Sequence, residues 1–345
     1  MSFPVLTTEE LRRCVSRLPR IELAHLPTPL EEIPRFADAI GGPRLFIKRD
    51  DCTGFYFGGN KTRHNEFLLA DALRKECDMV VWGAGVQSNN CRQTAAACAK
   101  LGLECRLYLS RAAHNDDIQG NLLLDYLVGA QVEIVDEPLG PALDELLLRK
   151  AETFRQAGRR PYVWDRIPGR PLAAVSYTLC LAEIVDQMRE RGLTPSHIYV
   201  SAAGATGSGL ALANKVLGLS AQVRIICPIR WPWETRRDMA EIANQTAALL
   251  DLPHRLTAAD IDATEDYVGP AYGCVTPEGR AALDTLARTE GILLDPSYTA
   301  KTMAALIDDV RQRRLPTDAH AVFVHTGGLP AVFAYRDELM ADGHK

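Results

Sequence analysis

Short runs of β-branched and aromatic residues alternate along the chain with longer stretches of helical pattern. In chain order, the strand candidates are Arg44–Lys48, Met79–Trp82, Glu104–Leu109, Gln131–Val135, His197–Val200, Ala221–Cys227 and Ala321–Val324. Helical stretches between them are Glu66–Lys75, Asn90–Leu101, Asn121–Gly129 and Leu172–Arg191. This alternation predicts an α/β fold with parallel-rich twisted sheets flanked by helices. Ligands of such sheets bind at the carboxyl ends of the strands, so the loops that follow strands are where a site is expected.

The length of 345 residues exceeds what one hydrophobic core of ordinary size accommodates, so we expect two domains. The Arg- and Pro-rich stretch Gly158–Pro171 is predicted to cross from one domain to the other. We therefore predict a smaller domain at residues 56–165, inserted in a larger domain formed by residues 1–55 and 166–345.

Charge and cysteine usage argue against several classes of function. The net charge is −5 and no basic run is interleaved with aromatic residues, which predicts no nucleic-acid partner. No apolar stretch has the length of a membrane span, and the first residues lack the pattern of a signal peptide. The nine cysteines are scattered and form no CxxC pair. We therefore expect a reduced, cytoplasmic protein with neither a disulfide framework nor a metal site.

The segment Gly58-Gly59-Asn60-Lys61 opens a helical pattern. The two glycines allow the backbone to approach a ligand closely. Lys61 would lie in the first helical turn, where the positive end of the helix dipole disfavours a charged ammonium. Schiff-base chemistry with a carbonyl cofactor requires a lysine with a lowered pKa. Taken alone, however, the segment is more often a glycine turn followed by a solvated lysine.

A second glycine-rich segment, Ser201–Gly209, follows a predicted strand and leads into a helix, which is the arrangement of an anion site. It is not a Walker loop, because no Gly-Lys-Ser/Thr follows. The next strand ends without the acidic residue that a dinucleotide fold uses to bind ribose. The segment therefore predicts a site for one phosphate. A third segment, His325–Gly328, also comes directly after a strand.

These segments together resemble the family of 1-aminocyclopropane-1-carboxylate deaminases and D-cysteine desulfhydrases, which are fold type II (tryptophan-synthase-β type) pyridoxal-phosphate enzymes. The resemblance extends from Leu26 to Tyr335. Its motifs are specific in combination, and they are Lys48–Asp51, Gly58–Arg63, Gln87–Asn89, Arg92–Ala96, Asp295–Tyr298 and His325–Gly328.

The resemblance implies that pyridoxal 5'-phosphate lies in the cleft between the two domains. Lys61 would be the Schiff-base lysine, and Asn60 would hydrogen-bond the hydroxyl oxygen of the cofactor ring. Backbone groups of one loop, together with the Thr206 hydroxyl, would hold the cofactor phosphate. The residues of that loop are Ala203, Gly204, Ala205, Thr206, Gly207 and Ser208.

The resemblance also implies where the substrate, a small amino acid, would bind. Ser88 and Asn89 match the positions that bind its carboxylate, and they lead into a helix N-terminus that suits an anion. Asn90 follows them where the family usually has histidine or glutamine, and it is a further predicted substrate-binding residue. Tyr272 and Tyr298 match the two active-site tyrosines of the family. Lys61, Ser88, Tyr272 and Tyr298 are therefore the predicted catalytic residues.

Two threonines bear on the reaction. Thr299 and Thr326 occupy positions beside the cofactor ring at which the desulfhydrase branch of the family has threonine and the deaminase branch has glutamate and leucine. The resemblance thus favours β-elimination from D-cysteine, L-cysteate or a similar amino acid, giving pyruvate, ammonia and sulfide or sulfite. Ring-opening deamination, racemisation and β-replacement remain alternatives on the same scaffold, and a non-catalytic binding protein is a third class.

Some positions depart from the family pattern. His64 replaces a lysine and is interpreted as a solvated helix residue. Asn90 and the aromatic run Phe55–Phe57 are interpreted as marks of an altered substrate pocket. Trp231 and Trp233 are interpreted as surface packing, with the lining of an entrance as the alternative. We expect the active form to be a homodimer.

Overall fold

The computed structural model describes residues 4–111, 117–163 and 166–341. Within these residues the chain forms ten β-strands, two of which end directly before predicted site loops. The strands are β1 (Leu30–Glu32), β2 (Arg44–Lys48), β3 (Met79–Gly85), β4 (Glu104–Ser110), β5 (Gln131–Val135), β6 (Pro161–Val163), β7 (His197–Ser201), β8 (Gln222–Ile226), β9 (Asp262–Thr264) and β10 (His320–Val324).

Twelve α-helices of the described residues connect or flank these strands. They are α1 (Thr8–Val15), α2 (Pro34–Ile40), α3 (Asn60–Arg74), α4 (Asn89–Leu101), α5 (Gly120–Leu127), α6 (Pro141–Gln156), α7 (Arg166–Arg189), α8 (Ala205–Val216), α9 (Thr235–Leu249), α10 (Pro277–Glu290), α11 (Thr299–Arg311) and α12 (Arg336–Met340). Short 3₁₀ turns lie at Asp50–Cys52, Ala258–Asp260 and Leu329–Tyr335.

Six strands form a large sheet in the order β1-β2-β10-β7-β8-β9, in which β1 is antiparallel to β2 and the other pairs are parallel. The register aligns the carboxyl ends of the central strands, because Val324 of β10 pairs with both Lys48 of β2 and Val200 of β7. The loops after these strands therefore emerge side by side at one edge of the sheet.

The other four strands form a parallel sheet in the order β5-β4-β3-β6. Successive residues of its central strand β3 enter different hydrophobic clusters: Val80 and Trp82 lie in one, Met79 and Val81 in the other. Both faces of the sheet are therefore covered, which explains why β3 reads as a continuous apolar run rather than an alternating one.

The predicted α/β class with parallel-rich, helix-flanked sheets is confirmed. The stretch Gly158–Pro171 is not a simple crossing, because it contains β6 and the start of α7. The strands of the small sheet all fall within residues 56–165 and those of the large sheet outside them, while the domain boundaries themselves stay predictions. Among the described helices, none combines the length and the apolarity needed to cross a membrane.

Candidate active site

A cavity of about 240 Å³ opens where loops from the two sheets face each other. Its walls include residues that follow the carboxyl ends of β3, β7, β8 and β10, as expected for parallel sheets. The predicted site residues that line this cavity are Asn60, Lys61, Ser88, Asn89, Asn90, Ala203, Gly204, Ala205, Thr206, Tyr272, Tyr298 and Thr326. The predicted site residues Gly207, Ser208 and Thr299 are not among the residues that line it.

The loop before Lys61 adopts an unusual backbone conformation. Four consecutive residues, Tyr56 to Gly59, have positive φ angles, of 43°, 64°, 63° and 119° in chain order. Gly58 is required there, because a Cβ atom at this position would lie 1.8 Å from the backbone oxygen of Asp51. The loop ends at Asn60, the first residue of α3, so Lys61 lies in the first turn of that helix.

Lys61 is half-buried, and it lines the cavity. Burial lowers the pKa of its ammonium from 10.5 to about 8, because the charged form loses its hydration. A much larger fraction of this lysine is therefore the neutral, nucleophilic amine at neutral pH than of a solvated lysine. The structure thus contradicts the alternative of a solvated lysine.

A buried cluster of charged side chains anchors α3 through Arg63. The guanidinium of Arg63 donates to Asp50 at 2.9 Å and to Glu183 at 2.7 Å, and Lys48 lies 2.7 Å from Glu183. Two positive and two negative groups thus compensate one another inside the protein, as buried charges require. Arg63 is two residues from Lys61, so the cluster fixes the rotation of the helix that carries the lysine.

His64 is not solvated, contrary to the interpretation from sequence: 3% of it is exposed. Its Nε2 atom lies 3.1 Å from the Thr206 hydroxyl, and its ring packs edge-on against Tyr177. Burial, with the nearby cations Lys61 and Arg63, holds the pKa of His64 well below its usual value. A neutral imidazole is therefore part of the cavity wall.

The loop between β7 and α8 has the form of an anion site. Gly204 precedes the first residue of α8, and the N–H groups of Ala205, Thr206 and Gly207 belong to the first helical turn, which has no intrahelical acceptors for them. The Thr206 hydroxyl accepts from the Asn60 amide at 3.1 Å, which joins this loop to α3. Ser208 is fully buried, and its hydroxyl donates to the Gly204 carbonyl.

Sequence reasoning missed a cation beside this loop. Arg170 lines the cavity, and a Cβ atom at Gly204 would lie 2.6 Å from its Nη2 atom. The same guanidinium donates to Asp238 at 2.6 Å, which holds it in place. Arg170 lies about 30 residues before the loop in sequence and carries no motif of its own, so only the folded chain places it here.

Ser88 and Asn89 begin α4 at the opposite wall. The Ser88 hydroxyl caps the helix by accepting from the N–H groups of Asn90 and Cys91 at 3.1 and 3.2 Å, and it can still donate one hydrogen bond. Asn89 accepts a hydrogen bond from Asn121 at 3.0 Å. The positive end of the α4 dipole and these side chains suit a carboxylate.

Tyr272 and Tyr298 contact each other through their hydroxyl oxygens at the cavity wall. Burial raises the pKa of Tyr272 to about 12 and moves that of Tyr298 well above its usual value, so both phenols are protonated at neutral pH. One of them therefore donates to the other, and the second phenolic proton remains for another acceptor.

Thr326 lines the cavity, whereas Thr299 does not. The hydroxyl of Thr299 donates to the Asp295 carboxylate at 2.7 Å, and it accepts from the Asp295 N–H at 2.9 Å. Both interactions tie the hydroxyl to the turn that begins α11. The Thr299 hydroxyl is therefore occupied by Asp295 in this structure, which does not support the prediction that Thr299 contacts the cofactor.

Two interpretations of aromatic residues were wrong. Trp231 and Trp233 line the cavity, stacked with ring centroids 4.8 Å apart, and are not merely surface packing. Phe55, Tyr56 and Phe57 are not among the cavity-lining residues: Tyr56 donates to the Leu124 carbonyl, and 62% of Phe57 is exposed. Of the positions predicted to alter the pocket, Asn90 is the one that reaches it.

The donor set of this cavity fits a phosphorylated aldehyde. It offers a lysine with a lowered pKa for the aldehyde, helix N–H groups for the phosphate, and the Asn60 and Thr326 side chains for polar atoms of a ring. In the described part of the chain, no group of three or more His, Cys, Asp or Glu side chains is arranged to hold a metal ion.

Comparisons with known proteins agree with this donor set. A family model for pyridoxal-phosphate dependent enzymes matches residues 21–327. The chain is 40% identical over 331 residues to a D-cysteine desulfhydrase of Klebsiella pneumoniae, covering 94% of this chain and 98% of that one. It is 39% identical over 325 residues to a D-cysteine desulfhydrase of Salmonella typhi, covering 93% and 97%.

Solved structures give the same picture of the fold. A crystal structure of an ACC deaminase homologue superposes with a TM-score of 0.86 at 31% identity, covering 96% of this chain and 98% of that chain. The holo diaminopropionate ammonia lyase of Escherichia coli superposes with a TM-score of 0.66 at 17% identity, covering 99% and 93%, and this likeness is one of fold.

Proposed function

Because the chain belongs to the family of pyridoxal-phosphate dependent enzymes, we propose that it is a lyase that eliminates the β-thiol of D-cysteine, giving pyruvate, ammonia and sulfide. The observation that carries the proposal is 40% identity to D-cysteine desulfhydrases over nearly the whole chain. Lys61 in its cavity, beside a phosphate-type loop, supplies the chemistry that such an activity needs.

Pyridoxal phosphate, when bound, supplies an electron-withdrawing ring that makes the α-proton of an attached amino acid acidic. The N–H groups at the start of α8, with Thr206, would hold its phosphate, and Asn60 and Thr326 would contact its ring. Lys61 would hold it covalently at rest.

The other side chains act on the substrate. The free amine of Lys61, with its pKa of about 8, is suited to take the α-proton at Nζ near neutral pH. Ser88, Asn89 and Asn90 would orient the substrate by its carboxylate, so that the α-proton faces Lys61. The remaining proton of the Tyr272–Tyr298 pair would hydrogen-bond the departing sulfur.

The reaction type is tested by comparing products from different substrates. We expect D-cysteine to be converted to pyruvate at least roughly 100-fold faster than 1-aminocyclopropane-1-carboxylate is converted to 2-oxobutyrate, because thiol is a good leaving group and ring opening needs a stronger electron sink. Pyruvate formation without a second substrate separates elimination from β-replacement. Faster 2-oxobutyrate than pyruvate formation would assign the chain to the ring-opening alternative.

L-Cysteate is the second candidate substrate. Sulfite release from L-cysteate would require a site for a second anion, and Arg170 beside the cavity loop is a cation that could serve it. The same assay therefore includes L-cysteate and L-cysteine. If pyruvate forms from L-cysteate and not from D-cysteine, the chain is a cysteate sulfo-lyase.

We further propose that the chain is a cytoplasmic homodimer. All nine cysteines lie within the described residues and are free thiols, as is usual in a reducing compartment. Exposed apolar side chains cluster on three adjoining segments, where 62% of Phe57, 70% of Leu127 and 71% of Phe333 is exposed. The Tyr56 hydroxyl joins the first segment to α5, and α5 contacts the 3₁₀ turn that carries Phe333. A second copy is the occupant that we assign to this surface.

Replacing Leu127 and Phe333 together with glutamate is expected to give a monomer, because two charges would be buried in the proposed interface. Sedimentation should show wild type at twice the 38.0 kDa chain mass and the double variant at that mass. Leu148→Glu is the matched control: Leu148 is 47% exposed on α6, outside this surface, and its variant should stay dimeric. A dimeric double variant would place the interface elsewhere.

A further inference from the structure

We propose that Asn121 is a positioning residue: it dictates which atom of the Asn89 side-chain amide faces the substrate carboxylate. Asn121 is fully buried at the start of α5, outside the cavity lining, and none of the roles described above uses it. The assignment rests on the proposed function, because it requires a substrate carboxylate beside Asn89.

The argument begins at Arg92, which is also fully buried. Burial lowers the pKa of its guanidinium to about 10, so the group still carries its proton at neutral pH. A guanidinium donates hydrogen bonds and accepts none. Its Nε atom is 2.8 Å from the Asn121 side chain, and this contact requires the oxygen of that amide to face Arg92.

The orientation of Asn121 then determines that of Asn89. With its oxygen at Arg92, Asn121 turns its NH₂ group the other way, where it donates to the Gln87 carbonyl at 2.9 Å and to Asn89 Oδ1 at 3.0 Å. The Gln87 carbonyl is an acceptor that cannot change its role, so it supports the same orientation. The oxygen of Asn89 is thereby turned toward Asn121.

Asn89 lines the cavity, so its remaining NH₂ group is presented there. The hydrogen bonds thus run in one direction, from Arg92 through Asn121 and Asn89 into the cavity, and each bond polarises the next. We call this series of hydrogen bonds, from Arg92 through Asn121 to Asn89, the relay. Because the relay ends in a donor, it attracts a carboxylate, whereas a flipped Asn89 would present an oxygen and repel it. Arg92, a cation outside the cavity lining, thereby determines that the uncharged Asn89 amide presents its NH₂ group to the cavity.

Arg92 links this relay to the loop that precedes Lys61. Its other nitrogens donate to the backbone carbonyls of Tyr56 and of Gly58, the latter at 3.1 Å, within the run of positive φ angles. One side chain thus supports both the cofactor lysine and the carboxylate site. Arg92 is therefore unsuitable for the test, because its replacement would disturb both. Asn121 isolates the relay.

The test replaces Asn121 with aspartate, which has the same shape and can still accept from Arg92 but cannot donate to Asn89. The Asn89 amide is then expected to flip. We expect KM for D-cysteine to rise about 10- to 100-fold, with kcat changed less than about threefold and cofactor absorbance retained. Spectral titration should show weaker binding of D-alanine, which has the carboxylate and no leaving group, and unchanged binding of ethylamine, which has no carboxylate.

A double-mutant cycle with Asn89→Ala distinguishes the relay from a general structural effect. If Asn121 acts through Asn89, the double variant should have the KM of Asn89→Ala alone. Asn244→Asp is the matched control: Asn244 lies on α9, is not among the cavity-lining residues and pairs through its side chain with the backbone of Leu256, so KM should not change. Asn121→Ser, which is too short to span the contact, gives a second test if the aspartate variant does not fold, and it should also raise KM.

The outcomes separate the two proposals. If Asn89→Ala leaves KM unchanged, the carboxylate does not bind at Asn89, and the site assigned under the proposed function fails together with the relay. If Asn89→Ala raises KM while Asn121→Asp or Asn121→Ser does not, or if their effects add in the double variant, the relay alone is overturned.

Discussion

Lys61→Ala is expected to abolish both covalent attachment of pyridoxal phosphate and turnover, with kcat falling by roughly 1,000-fold or more. The same amine is proposed to hold the cofactor and to move the α-proton, so one substitution removes two functions. Purified wild type should absorb visible light and lose that absorbance on borohydride reduction. The variant should lack the reducible band even when it is supplied with excess cofactor.

Two other lysines make this test specific. Lys100 is exposed on α4, and Lys100→Ala should keep both the band and the activity. Lys301 is fully buried, and burial lowers its pKa, but its ammonium donates to the Val268 carbonyl and does not line the cavity. After borohydride reduction, peptide mapping should find the cofactor on Lys61. A label on Lys301, or a reducible band in Lys61→Ala, would contradict the assignment.

Gly207→Val should weaken pyridoxal-phosphate binding by at least about tenfold, whereas Thr206→Ser should change it little. A Cβ atom at Gly207 would lie 3.0 Å from Ile225 Cδ1 and 3.2 Å from Ala202 Cβ, and valine adds two further methyl groups. The first turn of α8 would have to shift, and its N–H donors would move with it. No lysine or arginine lies within Ser201–Gly209 itself, so these N–H donors, together with the neighbouring Arg170, supply the attraction for the phosphate.

The measurement is a titration of apoprotein with pyridoxal phosphate, followed by absorbance. Gly204→Val should act in the same direction by displacing Arg170. Serine at position 206 keeps the hydroxyl that accepts from Asn60, which makes Thr206→Ser the conservative control. Equal, small effects of all three substitutions would show that the phosphate is bound elsewhere.

Backbone requirements were the part of the site that the sequence could predict. The loop before Lys61 and the start of α8 depend on local conformation, and local conformation leaves a signature of glycines within a few residues. The longer strands were predictable for a similar reason, because each is a short local run rich in β-branched, aromatic or leucine residues. The three-residue strands β1, β6 and β9 were missed, since such short runs carry no pattern.

Long-range partners were the part that the sequence could not predict. The start of α3 reads as a polar, solvated segment, yet Arg63, His64 and Glu66 are all buried. Their partners lie far away in the chain: Glu66, for example, accepts from the backbone N–H groups of Leu23 and Ala24. A polar residue is predicted to be solvated when the sequence does not reveal the distant partner that pairs with it in the interior, which is why the interpretation of His64 was wrong. The positions of Arg170 beside the α8 loop and of Asn121 beside Asn89 were missed for the same reason.

The stacked indoles of Trp231 and Trp233 give the cavity an optical property of its own. Tryptophan emits in the near ultraviolet, where a bound pyridoxal ring absorbs, and these two indoles form part of the wall around it. Trp82 is buried within the small sheet, so it is shielded from solutes that enter the cavity. Emission from Trp231 and Trp233 is therefore expected to change when a ligand enters the cavity, without any added dye, so the residues that contact a ligand also report its binding.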